Sequence, residues 1–359
     1  MIEKQKHMGK KIKYTLYGNA QHICMFSYKI YLEHLTEYYE MVSNPKEADV
    51  IFVTYVQNIR DNFKRFFNYQ KGSNAKIIIL SEEPLWDLSW SSTIKWQETQ
   101  QIVSNRRNNR KVDIERINFI NTDVFSYNKI PFFLTTQKVY TDNYLNFINK
   151  LETENIEDII QKKNYDVSGV FSRRVQPINN EFNVGDDIDK KCLNTFRGLL
   201  GDTFKENSSL KCDFFGNNNS EYEGLTDITI YDSTKFHKVK LDWCIDNAKF
   251  LFSFENTMLR TYVTEKVFDA AASASVPIFC QFPDEKCEFR GINIYDYITS
   301  DYETMYNSVL CELEKTDIVD VVKYNHEILK GVYKDGHDQV QTEIESRILR
   351  LNDEVRKIL

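Results

Sequence analysis

No two cysteines in the 359-residue chain are spaced as Cys-x-x-Cys, and the seven present (24, 192, 212, 244, 280, 287 and 311) are odd in number and scattered. That excludes a disulfide framework and a structural zinc site, and fits a reducing compartment. No run approaches the roughly 18 to 20 apolar residues of a membrane-spanning helix. The start, MIEKQKHMGKKIKYTLYG, also lacks the apolar centre of a signal peptide. The expected location is cytoplasmic. The six histidines are dispersed, and motifs for a P-loop, a Gly-x-Ser-x-Gly hydrolase or a His-Glu-x-x-His metalloprotease are missing. A formal net charge of -7 argues against nucleic acid as the partner, so an anionic ligand has to be held by a local constellation. The N-terminal lysines and the cluster Arg106, Arg107, Arg110 and Lys111 offer a peripheral contact to the inner face of a membrane, although such charge runs are more often solvated loops.

What is present is core material: 42% hydrophobic and 14% aromatic residues beside 28% charged ones, the balance of a folded chain. The length suits two domains. Apolar runs rich in β-branched and aromatic residues (KIKYTLYG near 11, ADVIFVTYV near 48, AKIIIL near 75, RINFI near 116) alternate with helix-like stretches. That alternation predicts parallel strands joined by helices, hence a Rossmann-like α/β domain over 1–150. After a charged helical segment at 144–164 the strand signal restarts with YDVSGVFS, LKCDFFG, FLFSFEN and SVPIFC, predicting a second such domain over 165–335. Between the first strand of the second domain and its next helix, VQPINNEFNVGDDIDKK reads as a loop with the makings of a lid. Val340, Ile344, Ile348, Leu351, Val355 and Ile358 recur at helical spacing, predicting a C-terminal amphipathic helix over 336–359 that packs on its own protein.

The segment from Ala248 to Phe279 reads as strand, loop, helix, strand, with Thr264 as the N-cap of a helix from Glu265 to about Ser273. Lys266 falls in the first turn, where the helix dipole disfavours a cation unless an anion sits there. Phosphate is the anion expected at a helix start that follows a strand of an α/β sheet. Glu265 is placed to accept hydrogen bonds from ribose hydroxyls, and Tyr262 to stack on a nucleobase. The competing interpretation makes Glu265 and Lys266 exposed first-turn residues and leaves Tyr262 and Phe254 in the core.

The strings FSFENTMLRTYVTEK and VFDAAASASVPIF resemble the signature of the family 10 glycosyltransferases, the alpha-1,3-fucosyltransferases, in their bacterial form. The resemblance implies a GT-B-like α/β fold, two Rossmann-like domains facing across a cleft. It implies an inverting, metal-independent fucosyltransferase of the hexosyltransferase class, moving L-fucose from GDP-fucose to a hydroxyl of a glycan, in alpha-1,3 linkage. The acceptor would be an oligosaccharide or lipid-linked glycan, and the setting protein glycosylation or surface-glycan synthesis. No cofactor is implied, because GDP-fucose is a substrate. By the same resemblance Tyr262, Glu265 and Lys266 contact the guanine nucleotide, Asn256 lies at the sugar and diphosphate, and Glu255 faces the sugar or braces the loop. CEFRGINIYDY and YNKIPFFL also look like family stretches. One departure stands out: Cys280 and Gln281 occupy the place where the family has glycine, near the expected sugar.

Sugar transfer with inversion needs a carboxylate to take the acceptor proton and cations to receive charge on the departing diphosphate. AKIIIL ends in Ser81-Glu82-Glu83-Pro84, two carboxylates at the carboxyl end of a strand, which Pro84 directs to different sides. The family's Gly-Glu-Asn in this place points to Glu82 as the base. The family arginine that reaches the diphosphate maps approximately onto Arg174, with Lys190, Lys191 and Arg197 as rivals. Two other functions compete: a transferase for a related GDP-6-deoxy sugar, and a non-catalytic nucleotide-sugar-binding protein. Asp187-Ile188-Asp189 is formally a metal-binding Asp-x-Asp, but it lies in a polar stretch beside two lysines rather than ending an apolar strand, so no metal is expected.

Overall fold

The protein was analysed as a computed structural model that describes residues 10–17, 25–82, 101–103, 110–171, 190–207, 209–216, 233–285, 288–298 and 300–359. It divides into two compact units, 1–125 with 344–359, and 126–343.

The first unit contains strands β1 (Ile12–Tyr17), β2 (Tyr39–Met41), β3 (Val50–Val53), β4 (Lys76–Leu80), β5 (Gln101–Val103), β6 (Lys111–Asp113) and β7 (Glu115–Ile117), and helices α1 (Lys29–Leu35), α2 (Val56–Asp61) and α3 (Phe63–Gly72). Five strands form one sheet in the order β2-β1-β3-β4-β7, every pairing parallel. β5 and β6 form a separate antiparallel pair. A parallel sheet covered on both faces needs strands without polar alternation. β3 and the Ile77–Leu80 part of β4 meet that demand, with every side chain buried. Ile51, Val53, Val56, Ile59, Phe66, Ile77 and Ile79 form one cluster there.

The second unit holds α4 (Lys138–Thr153), α5 (Ile156–Lys162), β8 (Tyr165–Val170), β9 (Lys190–Cys192), α6 (Asn194–Asn207), β10 (Cys212–Phe215), α7 (Ser233–Asn247), β11 (Ala248–Phe252), β12 (Thr257–Leu259), α8 (Lys266–Ala272), β13 (Val276–Phe279), β14 (Ile292–Asn293), α9 (Tyr302–Lys315) and α10 (Ile318–Val332). Its sheet runs β10-β8-β11-β13-β14, again wholly parallel. Counted within each five-stranded sheet, both follow the order second-first-third-fourth-fifth. In such a doubly wound sheet the crevice for a ligand opens beyond the carboxyl ends of the first and third strands, where the winding direction reverses. In the second unit those strands are β8 and β11.

The α/β class with two parallel sheets is thus as expected, and three local readings change. The helical stretch at 144–164 is two helices, broken at Glu154 and restarted at Asn155, whose side chain accepts a hydrogen bond from the Glu157 N–H. Residues 257–259, taken as loop, are strand β12, which pairs antiparallel with β9. The helix after Tyr-Val-Thr-Glu-Lys begins at Lys266, with Glu265 rather than Thr264 in the N-cap position, because the Thr264 side chain is engaged elsewhere. The last helix, α11 (His337–Ile358), buries Val340, Ile344, Ile348, Leu351 and Val355. Among the described residues no helix is long and apolar enough to cross a membrane.

Candidate functional site

β11 leaves its sheet into Ser253–Asn256, and there Glu255 is 3% exposed. A buried carboxylate has to be paired and hydrogen-bonded. Its Oε1 accepts the Thr264 backbone N–H at 2.7 Å, and its Oε2 accepts the Thr264 hydroxyl at 2.7 Å and Lys266 Nζ at 3.0 Å. One side chain therefore ties the two ends of the 255–264 loop together. Lys266 Nζ also donates to Thr264 Oγ1 at 2.8 Å and lies 3.4 Å from Glu265 Oε1. The anions demanded by a lysine at a helix start are thus supplied first by the chain itself.

The charged chain continues inward. Lys240, on α7, lies 3.6 Å from Glu265 Oε1 and 2.7 Å from Oδ2 of Asp269, which is fully buried on α8. The other Asp269 oxygen accepts the Tyr144 hydroxyl at 2.6 Å and contacts His237 Nε2 at 3.0 Å. Since Asn143 Nδ2 donates to His237 Nδ1 at 3.0 Å, the ring proton belongs on Nε2, facing Asp269. Burial opposes ionisation of both acids, but Lys266 and Lys240 outweigh it at Glu265, and Lys240 and His237 at Asp269, so both carboxyls are held below their ordinary range. Burial likewise opposes the charge on Lys240 and Lys266; Asp269 and Glu265 reverse this at Lys240, and Glu255 and Glu265 at Lys266, raising both.

Arg197, on α6 and 5% exposed, donates to the Phe254 carbonyl at 3.2 Å and to Asn256 Oδ1 at 3.1 Å, while its guanidinium lies 5.1 Å from the centre of the Phe171 ring. Phe171 directly follows β8 and Phe254 follows β11, so this arginine stands where the winding of the second sheet reverses. Asn256 is fixed twice, by Arg197 and by its carbonyl accepting the Leu193 N–H at 2.9 Å.

Tyr262 is buried at 5% exposure, its N–H bonded to the Leu259 carbonyl at 3.1 Å. The residue before it, Thr261, has φ 62°, a left-handed conformation that crowds a β-branched side chain. Its surroundings enforce it: Glu285 accepts its N–H, Tyr127 donates to its carbonyl at 2.9 Å, and its hydroxyl donates to Ser126 at 3.0 Å. Neighbouring Arg260 forms two 2.9 Å contacts with the Asp284 carboxylate. The loop is therefore clamped from the 280–285 segment, where Cys280 also meets Met258. Gln281, in the place of the family's glycine, is 5% exposed, with its backbone held by the Asn293 amide.

In the first unit, Ser81 follows β4 and donates its N–H to the Ile117 carbonyl at 3.1 Å, and Glu82 comes next, half-buried. Glu82 Oε1 accepts the hydroxyl of Tyr28, the residue preceding α1. Arg174, Glu83, Asp187 and Asp189 lie outside the described residues. Of the rivals to Arg174, Lys190 and Lys191 lie in β9 and Arg197 is placed as above.

Glu255, Asn256, Glu265 and Lys266 thus fall in one connected region. Sequence reasoning missed Lys240, Asp269, His237 and Tyr144, the network behind them. One signal was available: Asp269 is the lone charge in Val267–Ala272, and an acid in an otherwise apolar helix must find buried partners.

Residues 204–311 match the model for glycosyltransferase family 10 (fucosyltransferase), C-terminal part. Over that stretch the chain is similar to family 10. The chain is a glycosyltransferase, and the matched stretch holds Lys240, Glu255, Asn256, Tyr262, Glu265, Lys266 and Asp269. No curated protein gives a match. Solved structures of an alpha1,3-fucosyltransferase are similar to the chain. One, titled as containing GDP-fucose, is 15% identical over 97% of this chain and 94% of its own, at TM-score 0.42. Another, described simply as an alpha1,3-fucosyltransferase, is 16% identical over 94% and 93%, at TM-score 0.45. A third, titled with GDP, is 15% identical over 97% and 93%, at TM-score 0.42.

Proposed function

We propose that this family 10 glycosyltransferase moves L-fucose from GDP-fucose to a hydroxyl of a glycan acceptor, oligosaccharide or lipid-linked, in a single displacement that inverts the sugar carbon and forms an alpha-1,3 linkage. The observation that carries the reading is that the family match encloses the buried Glu255–Thr264–Lys266–Glu265–Lys240–Asp269 chain. Three carboxylates and three cations, Arg197 included, converge beyond the carboxyl ends of β8 and β11. That is an apt place for a nucleoside diphosphate, whose ribose asks for a hydrogen-bond acceptor and whose phosphates ask for cations.

In this reading Glu265 accepts the ribose hydroxyls, the guanine lies against Tyr262, and Lys266 meets the diphosphate together with Arg197 or Arg174. Asn256, held by Arg197, sits at the sugar-diphosphate junction, and Glu255 keeps the loop closed. Glu82 takes the proton of the acceptor hydroxyl as its oxygen bonds to the sugar carbon. The bond from that carbon to the β-phosphate oxygen breaks, and its electron pair leaves on GDP, where the cations offset the charge. No metal ion is needed for this balance, and transfer is expected to survive excess chelator. The protein is expected to act in the cytoplasm, with peripheral membrane contact where the acceptor is lipid-linked.

Purified protein incubated with a panel of nucleotide sugars should release GDP from GDP-fucose in preference to the others. A second reading, transfer of a related 6-deoxy sugar from GDP, is favoured by the buried amide of Gln281 where the family has glycine, and preference for such a donor would select it. Indifference to every GDP-sugar would remove both.

A further inference from the structure

We propose that Lys240 is the positioning residue for Glu265: it fixes that carboxylate in the pose that accepts the two ribose hydroxyls of a nucleoside diphosphate, and so sets the preference for ribose over hydroxyl-free sugars. The inference rests on the donor reading above and adds the group that makes it selective.

Glu265 has two lysines near it, at 3.4 Å (Lys266) and 3.6 Å (Lys240), and they are engaged differently. Lys266 is shared among Glu255, Thr264 and Glu265, and the diphosphate draws on it as well. Its hold on Glu265 weakens as donor binds. Lys240 has no such competing duty. Its side chain is 9% exposed, it sits between Glu265 and Asp269, and it points away from solvent.

A lysine alone is a poor ruler, because its four-carbon stem is flexible. Here the far side is rigid. Asp269 is buried and held through its other oxygen by Tyr144 on α4 and by His237 on α7, and His237 is oriented in turn by Asn143. Three helices thereby fix one ammonium group, and that group faces the ribose acceptor. Burial works against a charged Glu265, and the two lysines more than offset it. An ionised acid accepts hydrogen bonds only, which is what two hydroxyl donors require. Both lysines flank the same oxygen, Oε1, so without Lys240 that oxygen would turn wholly to Lys266, swinging the carboxylate out of its pose and pulling that lysine from the phosphates.

The test compares calorimetric affinities for GDP and for 2′,3′-dideoxyguanosine diphosphate. Two hydrogen bonds to an ionised acceptor should give wild-type protein a preference for GDP of about tenfold to hundredfold. Lys240→Met should bring the ratio close to one, and Lys240→Arg, which keeps the charge, should restore most of it. Should Lys240→Met not fold, Lys240→Gln keeps a donor toward Asp269 and loses only the charge, and the same collapse is expected. An unchanged ratio in a folded, uncharged variant overturns the role of Lys240 while leaving the donor reading intact. Wild-type protein that binds no GDP overturns both.

Discussion

At the carboxyl end of β4, in the first unit, a half-buried carboxylate accepts a hydrogen bond from the neutral phenol of Tyr28. Past the carboxyl end of β11, in the second, Glu255 opens a run in which Lys266, Glu265, Lys240 and Asp269 alternate in sign, all largely buried. The two sheets have the same internal strand order and the same winding. What differs is the company each carboxylate keeps. An acid among fixed cations resists protonation, because losing its charge strands theirs. The Tyr28 hydroxyl orients the Glu82 carboxylate without bringing a full charge of its own. In the second unit lysines hold the Glu265 and Asp269 carboxyls charged, and in the first a hydroxyl orients Glu82.

The largest expected effect tests the first half of that contrast. Glu82→Gln keeps shape and hydrogen bonding but removes the basic oxygen, so fucosyl transfer should fall by about 10²- to 10⁴-fold, the usual yield of a positioned base. GDP affinity should not change. Transfer at the wild-type rate would take Glu82 out of the chemistry.

Lys266→Met tests the second half. It takes from Glu255 and Glu265 the cation they share, a loss on the order of 3 to 5 kcal/mol when one partner of a buried pair is removed. A drop of that size in denaturant unfolding, together with weaker GDP binding by calorimetry, is expected. If stability holds and only GDP binding suffers, the lysine serves the ligand and not the fold.

A smaller effect belongs to Tyr144→Phe, which removes the 2.6 Å hydrogen bond to Asp269 and the 3.3 Å contact with His237 Nε2. Leaving a buried acceptor one donor short costs about 1 to 3 kcal/mol. Urea titration should show that loss, with GDP affinity reduced less than by any change at Lys266. No change in stability would mean that His237 and Lys240 hold Asp269 unaided.

How much of this the sequence disclosed follows from physical range. KIIIL, VIFV and AKFLF announce buried parallel strands because burial on both faces demands uninterrupted apolar runs, and their order along the chain suffices for an α/β assignment. Strands β2, reading YEM, and β14, reading IN, lie at sheet edges and are too short to carry a pattern. Strand β12 exists only because β9, more than 60 residues earlier, pairs with it. The site divides the same way. Glu255, Thr264, Glu265 and Lys266 are close in sequence and could be read as one unit. Lys240, His237 and Tyr144 reach Asp269 from other helices, up to 125 residues away, and no local pattern links them.

The opposite end of α8 gives the finest test of the contrast. There Lys163 is buried among neutral acceptors, donating to the carbonyls of Cys244 and Ser273 and to the Ser275 hydroxyl at 3.1, 2.7 and 3.2 Å. Burial pushes its pKa down to about 7, whereas Lys240 and Lys266, set among carboxylates, are pushed up. In the unfolded chain Lys163 keeps its proton to about pH 10.4. Between pH 7 and 10 the unfolded state therefore binds more protons than the folded one, and this lysine makes the protein more stable as pH rises, by at most about 1.4 kcal/mol per pH unit. The depressed carboxyls of Glu265 and Asp269 act in another window: their stabilisation is present above about pH 4 and is lost as pH falls through their lower folded values. Unfolding in urea at pH 7, 8 and 9 should show wild type gaining on Lys163→Met at each step. Parallel profiles for the two proteins would mean that Lys163 keeps its proton throughout, and that neutral acceptors alone hold a buried cation as firmly as the carboxylates at the other end of the helix.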